Sequence, residues 1–225
     1  MKILFPRKKH LHFIHIGKTA GTALKHALSD YTDSRHAQIY LHGHDFKLTD
    51  LPDNQYCFFS VRDPIDRFVS AFYSRQRQGK PRYNSKWSVA EELSFSLFVT
   101  PNQLANDLYS DNWKKRVNAE YAMLSIRHIN NSYWDWFINE RYFLSRKKSI
   151  VFIFDQTSLD SDFEKFKKRF SISKKALLPD RNSVNAHSNN VSFNTKLNKV
   201  AELNLKRWYA KEYVFMELVK KHFSL

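Results

Sequence analysis

Apolar positions along the chain follow two spacings. Residues 11–16 alternate apolar side chains with histidine, as a short strand does, and a Gly/Thr turn then leads to a helical pattern over about 22–28. Tyr56–Val61 and residues 150–154 are apolar runs of strand length bounded by polar or turn residues. All three read as buried parallel strands. Between them the spacing becomes helical. Phe68, Val69, Phe72 and Tyr73 share one face of a stretch over 65–77, and 118–138 reads as one long apolar-periodic stretch. Leu159–Phe170 and one or two helices over 195–223 complete the pattern. Strands alternating with helices predict an α/β fold, a central and mostly parallel sheet flanked by helices, with 1–225 as a single domain. The stretch 79–88 is the best candidate for a mobile excursion.

With 42% apolar and 16% aromatic residues in 225, the chain can bury a sizeable core. No run approaches the ~20 apolar residues of a membrane span. At the start the charges follow the short apolar run, the wrong order for a secretion signal, so a soluble cytoplasmic protein is expected. Cys57 is the single cysteine, which excludes an intrachain disulfide and fits a buried apolar role. Lys and Arg exceed Asp and Glu by 37 to 22, a net charge of +15 that favours anionic ligands. The basic residues are scattered, and short groups at 7–9, 146–148 and 165–169 read as solvated faces.

The segment HIGKTAGTAL puts Gly17, Lys18, Thr19, Gly21 and Thr22 between a strand and a helix. Such a loop turns backbone N–H groups toward one anion, helped by the positive end of the helix, and Lys18 adds a full charge. An ordinary strand-to-helix turn with an exposed lysine is the plainer alternative. Gly17, Lys18 and Thr19 also match the end of the nucleoside-triphosphate loop GxxxxGK[ST], but its first glycine would fall on His12. Asp155, ending the third strand, keeps a magnesium-dependent kinase as an alternative. A second motif, VRDPIDRFVSAFYS, puts Arg62 at the carboxyl edge of the second strand and Ser70 about two helical turns on. A guanidinium fork and a hydroxyl suit a second phosphate. Asp63 and Pro64 open the helix, and Arg67 reads as an i, i+4 partner of Asp63.

Together HIGKTAGT and RDPIDRFVSAFY resemble the 5′-phosphosulfate loop and 3′-phosphate motif of the sulfotransferases that use 3′-phosphoadenosine 5′-phosphosulfate (PAPS), nearest the carbohydrate branch with the heparan sulfate 2-O-sulfotransferases and bacterial relatives. Where that branch commonly has PKTGGTS, Gly17 stands for the proline, Ala20 for the first glycine and Ala23 for the serine. The pattern R-D-P-x-x-R-x-x-S-x-x-Y is complete through Arg62, Asp63, Pro64, Arg67, Ser70 and Tyr73. The resemblance implies a P-loop-like fold, PAPS as sulfuryl donor, no metal, and a carbohydrate hydroxyl as acceptor. It further implies cofactor contacts from Lys18, Thr19, Ala20, Gly21, Thr22 and Ala23, with the 3′-phosphate on Arg62 and Ser70. Residues 180–189 stand where relatives carry a loop over the nucleotide, with Arg181, Asn182, Asn185 and His187 as candidates.

Sulfuryl transfer needs a group that takes the acceptor's proton, and a neutral imidazole suits that near pH 7. LHGHDF lies between the two motifs, and the resemblance assigns the base to His44, with His42 orienting base or acceptor and Lys18 stabilising the leaving oxygen. If neither histidine serves, Glu91 or Glu92 is the next choice. A metal on His42, His44 and Asp45 lacks clear further ligands. His12 and His15 are expected on the packed side of the sheet. A basic module that binds polyanions through Tyr133, Trp134, Trp136 and Phe137 is the non-enzymatic alternative, although helical spacing makes these core residues. The acceptor's identity and the oligomeric state are not readable, and no nucleic-acid partner is expected.

Overall fold

The computed structural model describes residues 8–180 and 195–223. Its contacts divide the chain into two compact units, one drawn from Met1–Arg62, Tyr133–Ala186 and His222–Leu225, the other from Asp63–Ser132 and His187–Lys221.

The first unit is built on a four-stranded sheet of order β2-β1-β3-β4, with β1 at Lys9–Ile14, β2 at Ala37–Leu41, β3 at Tyr56–Val61 and β4 at Ile150–Asp155. Every pairing is parallel, with Phe13 beside Phe58 and Phe59 beside Ile153. β2 carries no alternation strong enough to stand out from the sequence. One face packs Phe13, Phe58 and Phe154 against Leu24 of α1 (Gly21–Leu28) and Phe163, Phe166 and Phe170 of α8 (Leu159–Phe170). On the other face Phe59 meets Phe137 and Phe143, 4.7 and 6.4 Å between ring centres, from α6 (Trp134–Phe137) and α7 (Glu140–Ser145). β1 and β3 lie side by side, and from them the chain crosses to opposite edges of the sheet, so their carboxyl ends flank the switch point where open α/β sheets bind ligands. Cys57 is fully buried on β3, and burial pushes its thiol up to about 12.

The second unit is helical. It contains α2 (Pro64–Gln76), α3 (Val89–Leu97), α4 (Pro101–Asp107), α5 (Trp113–Ser125), α9 (Lys199–Trp208) and most of α10 (Ala210–His222). Phe68, Phe72, Leu104, Met123 and Leu205 are among its core residues. The expected single stretch over 118–138 is two helices: α5 ends at Ser125, and His128 takes a left-handed φ of 70°, which breaks the helical path before α6. Residues 79–88 form a loop whose far end is held by Arg75, which donates to the carbonyls of Ser85 and Lys86, and by Trp87, whose indole donates to the Arg75 carbonyl at 2.7 Å.

Candidate functional site

After β1 the backbone turns through Lys18 and Ala20, both left-handed with φ of 68° and 70°. Each such non-glycine residue costs ~1–2 kcal/mol, so the surroundings must enforce the turn. Thr19, fully buried, does so: its hydroxyl donates to the Ile16 carbonyl at 3.0 Å and accepts from Ser60 Oγ at 2.8 Å, fastening the loop to β3. Alternating backbone handedness of this kind turns N–H groups into an anion-binding concavity. Behind it α1 begins at Gly21 with no side-chain cap and no acidic residue in its first turn. Gly21 is required sterically, since a Cβ there would lie 2.3 Å from His15 Cδ2. Ala23 is turned inward: its methyl is buried and its N–H donates to the Ala20 carbonyl at 3.0 Å. Thr19 likewise commits its hydroxyl to the fold, so its backbone N–H is what remains for an anion.

His12 and His15 are both packed, as expected, but not on one side of the sheet: His15 stacks on Phe13, whereas His12, next to Phe13 along the strand, stacks on Tyr40 and Phe46. The strand pleat sends them apart, because their positions differ by an odd number. His15 stacks on Phe13 beneath Gly21 and presents its other side to His44, with ring centres 3.9 Å apart. Burial holds His15 neutral, with its pKa lowered to about 3, and the charges of His44, Lys25 and Lys18 add to the effect. His44 Nδ1 lies 2.8 Å from the His15 carbonyl oxygen, which can only accept. Nδ1 of His44 therefore carries the proton, and in the neutral ring Nε2 is the basic nitrogen.

On the other side, His12 Nε2 donates to Gln55 Oε1, so the neutral ring of His12 accepts at Nδ1 from His42 Nε2, 2.8 Å away. His42 stacks on Phe46 at 3.7 Å, and its carbonyl accepts from Lys25 Nζ at 2.9 Å. Burial lowers the pKa of both His12 and His42. His42 is thus a fixed donor at Nε2, whereas Nε2 of the neutral His44 ring carries no proton.

Tyr133 and Trp136, one helical turn apart, brace this end of the sheet. The buried Tyr133 hydroxyl accepts from the Arg62 N–H at 3.0 Å and donates to the Arg62 carbonyl at 2.7 Å. The Trp136 indole donates to the His44 carbonyl at 2.9 Å. Tyr133, Trp136 and Phe137 are buried, which removes them as a base-stacking surface. The structure thus brings Lys18, the loop, His42, His44 and Arg62 together at one end of the sheet in the first unit, while half-buried Ser70 stands on α2 in the second. Sequence reasoning missed His12, His15, Gln55, Tyr133 and Trp136 as supports. The histidines lay in plain view, but strand parity alone could have separated them, and the aromatics carried no signal beyond core spacing.

Other candidates have structural duties. Asp63 caps α2, accepting from the Ile65 and Asp66 N–H groups, and receives the Tyr213 hydroxyl at 3.3 Å. Arg67 is buried and donates to the Asn131 carbonyl at 3.0 Å. Asp155 accepts from both the N–H and the hydroxyl of Thr157, which caps the turn after β4. Glu91 is removed as a fallback base: it is buried, paired with Arg75 through two contacts of 2.6 Å, and accepts the N–H groups of Ser88 and Arg127. Burial alone would raise its pKa, but these bonds outweigh that and hold it below the usual carboxylate range. No cluster able to hold a metal occurs among the described residues. Arg181, Asn182, Asn185 and His187 lie outside the described residues.

The family model described as Sulfotransferase family matches residues 1–218. No curated protein matches the chain.

Proposed function

Because this chain belongs to the sulfotransferase family, we propose that it transfers a sulfuryl group from PAPS to a hydroxyl of a carbohydrate acceptor, with His44 as the base. One juxtaposition carries the reading. At the carboxyl ends of neighbouring strands, a loop with Lys18 and an uncapped helix start lies one ring away from a histidine whose tautomer leaves Nε2 basic.

The residues fit an anionic nucleotide. The left-handed turns at Lys18 and Ala20, the space kept by Gly21 and the lack of any carboxylate in the first turn of α1 all favour a terminal phosphate. In this reading Lys18 and the N–H groups of Thr19, Ala20, Gly21 and Thr22 hold the 5′ side, and Arg62 and Ser70 hold the 3′-phosphate. Bound, PAPS supplies the sulfuryl group and a stable leaving group, adenosine 3′,5′-bisphosphate. Lys18 neutralises charge where the leaving oxygen emerges, an effect largest in a site screened from water. His44 accepts the acceptor's proton at Nε2, and the imidazolium so formed keeps its Nδ1–H on the His15 carbonyl. Its orientation does not change with protonation, so the ring needs no reorganisation during transfer.

The resemblance of the HGH segment to the carbohydrate branch supports a glycan acceptor. Cofactor choice is testable by thermal unfolding. Adenosine 3′,5′-bisphosphate is expected to raise the melting temperature well above the shifts given by AMP, ADP or ATP at equal concentration, and Arg62→Ala to erase most of that preference. Equal shifts for all four nucleotides would refute the assignment.

A further inference from the structure

In the second unit α5 carries apolar side chains on the wrong side. Trp113, Val117, Tyr121 and Leu124 recur at i, i+4, i+8 and i+11, within an arc of ~80° on the helix, and all are exposed. The opposite face of the same helix already supplies Ala119, Ala122 and Met123 to the core. Hence this second stripe is not needed for folding. Glu91, at the start of α3, accepts the N–H of Arg127 beyond the end of α5, so the two helices meet there, and α3 adds exposed Val89 and Leu93. These side chains are between 40% and 86% exposed. Together they present on the order of 600 Å² of apolar surface, which with a polar rim reaches the ~800 Å² per partner of a stable interface. Scattered exposed apolar residues are ordinary, but a continuous helical stripe is not.

Charge along the stripe selects its occupant. Charges of both signs lie along the stripe: Lys114, Lys115 and Arg116 in the first half of α5, with Lys115 paired to Asp107 at 3.9 Å, Glu120 in the second half, and Asp111 and Arg127 just beyond its two ends. Mixed charge of this kind gives a uniformly anionic membrane or polyanion no consistent match. A copy of α5 laid antiparallel across the first matches throughout: Trp113 falls opposite Leu124, Val117 opposite Tyr121, and Arg116 near Glu120. Two-fold contacts of this kind are self-complementary by symmetry. We propose that this face joins two copies of the chain, with Val117 near the two-fold axis.

The full-length protein is expected to sediment as a dimer across about 1 μM to 100 μM, the range in which a stable dimer stays associated. Val117→Glu and Leu124→Glu are expected to weaken association ~100-fold or more, since each dimer would then bury two carboxylates in apolar contact. Both positions are exposed, so the fold is expected to persist, and circular dichroism of the monomeric variants checks it. Val117→Cys is expected to cross-link between copies with a short bis-maleimide, against the silent background of buried Cys57. A monomeric wild type over that range, or dimers that persist in both glutamate variants, would overturn the proposal. So would a monomer that binds anionic vesicles through this face.

Discussion

His44→Ala is expected to leave the affinity for adenosine 3′,5′-bisphosphate nearly unchanged while lowering kcat by roughly 10²- to 10⁴-fold, the scale of a positioned general base. Calorimetry and initial rates separate the two effects. Trp136→Phe removes only the indole donor to the His44 carbonyl; it is expected to lower kcat by about 10-fold with nucleotide binding retained, and parallel losses in both would mark it as merely structural. Burial of His15 makes folding stability depend on pH. Its pKa falls from 6.5 to about 3 on folding, so between those values the unfolded chain binds the extra proton. Its contribution is therefore full above pH 6.5 and declines as pH falls, by ~1.4 kcal/mol per pH unit for one site. His15→Phe keeps a stacked ring but cannot titrate, and urea unfolding at pH 7 and pH 5 should show a flatter dependence than the wild type. An unchanged slope would place the acid sensitivity elsewhere.

The elements that bear the site were mostly legible because their signals are local. β3 and α8 fall on their expected bounds, and α2, expected over 65–77, forms at Pro64–Gln76, fixed by Asp63 as cap and Pro64 in the first turn. The Lys18 loop was legible from its glycines and its place between strand and helix. β2 was not, since AQIYL is too short and mixed to show a period, and only its pairing with β1 makes it a strand. The break between α5 and α6 was hidden because Ile126, Ile129 and Tyr133 continue an apolar rhythm into a non-helical segment that is buried all the same. Nor could sequence show that Glu91 serves as the hub of Arg75, Ser88 and Arg127. Glu91→Gln is expected to destabilise the protein by ~3–5 kcal/mol, because it leaves the buried Arg75 guanidinium without its counter-charge; denaturant titration measures this. At the loop, Ala20→Gly relieves a left-handed alanine and is expected to leave stability unchanged or raise it by up to ~1 kcal/mol, whereas Gly21→Ala meets His15 and must distort the turn.

For the whole molecule, the net charge of +15 favours anionic ligands at long range and opposes self-association, so a dimer must rest on apolar contact. Salt should therefore weaken nucleotide binding. No helix among the described residues is long and apolar enough to cross a membrane. Membership in the sulfotransferase family gives the general chemistry, and the parallel sheet is consistent with that family's fold; the donor, the acceptor class and the base are the proposal. These are tested most directly by incubating the protein with sulfur-labelled PAPS and a panel of glycans, alongside Lys18→Ala and His44→Ala. Label is expected in at least one glycan with the wild type and lost from both variants, with adenosine 3′,5′-bisphosphate released in equal amount. Label that reaches no glycan, or reaches one equally well with His44→Ala, would contradict the proposal.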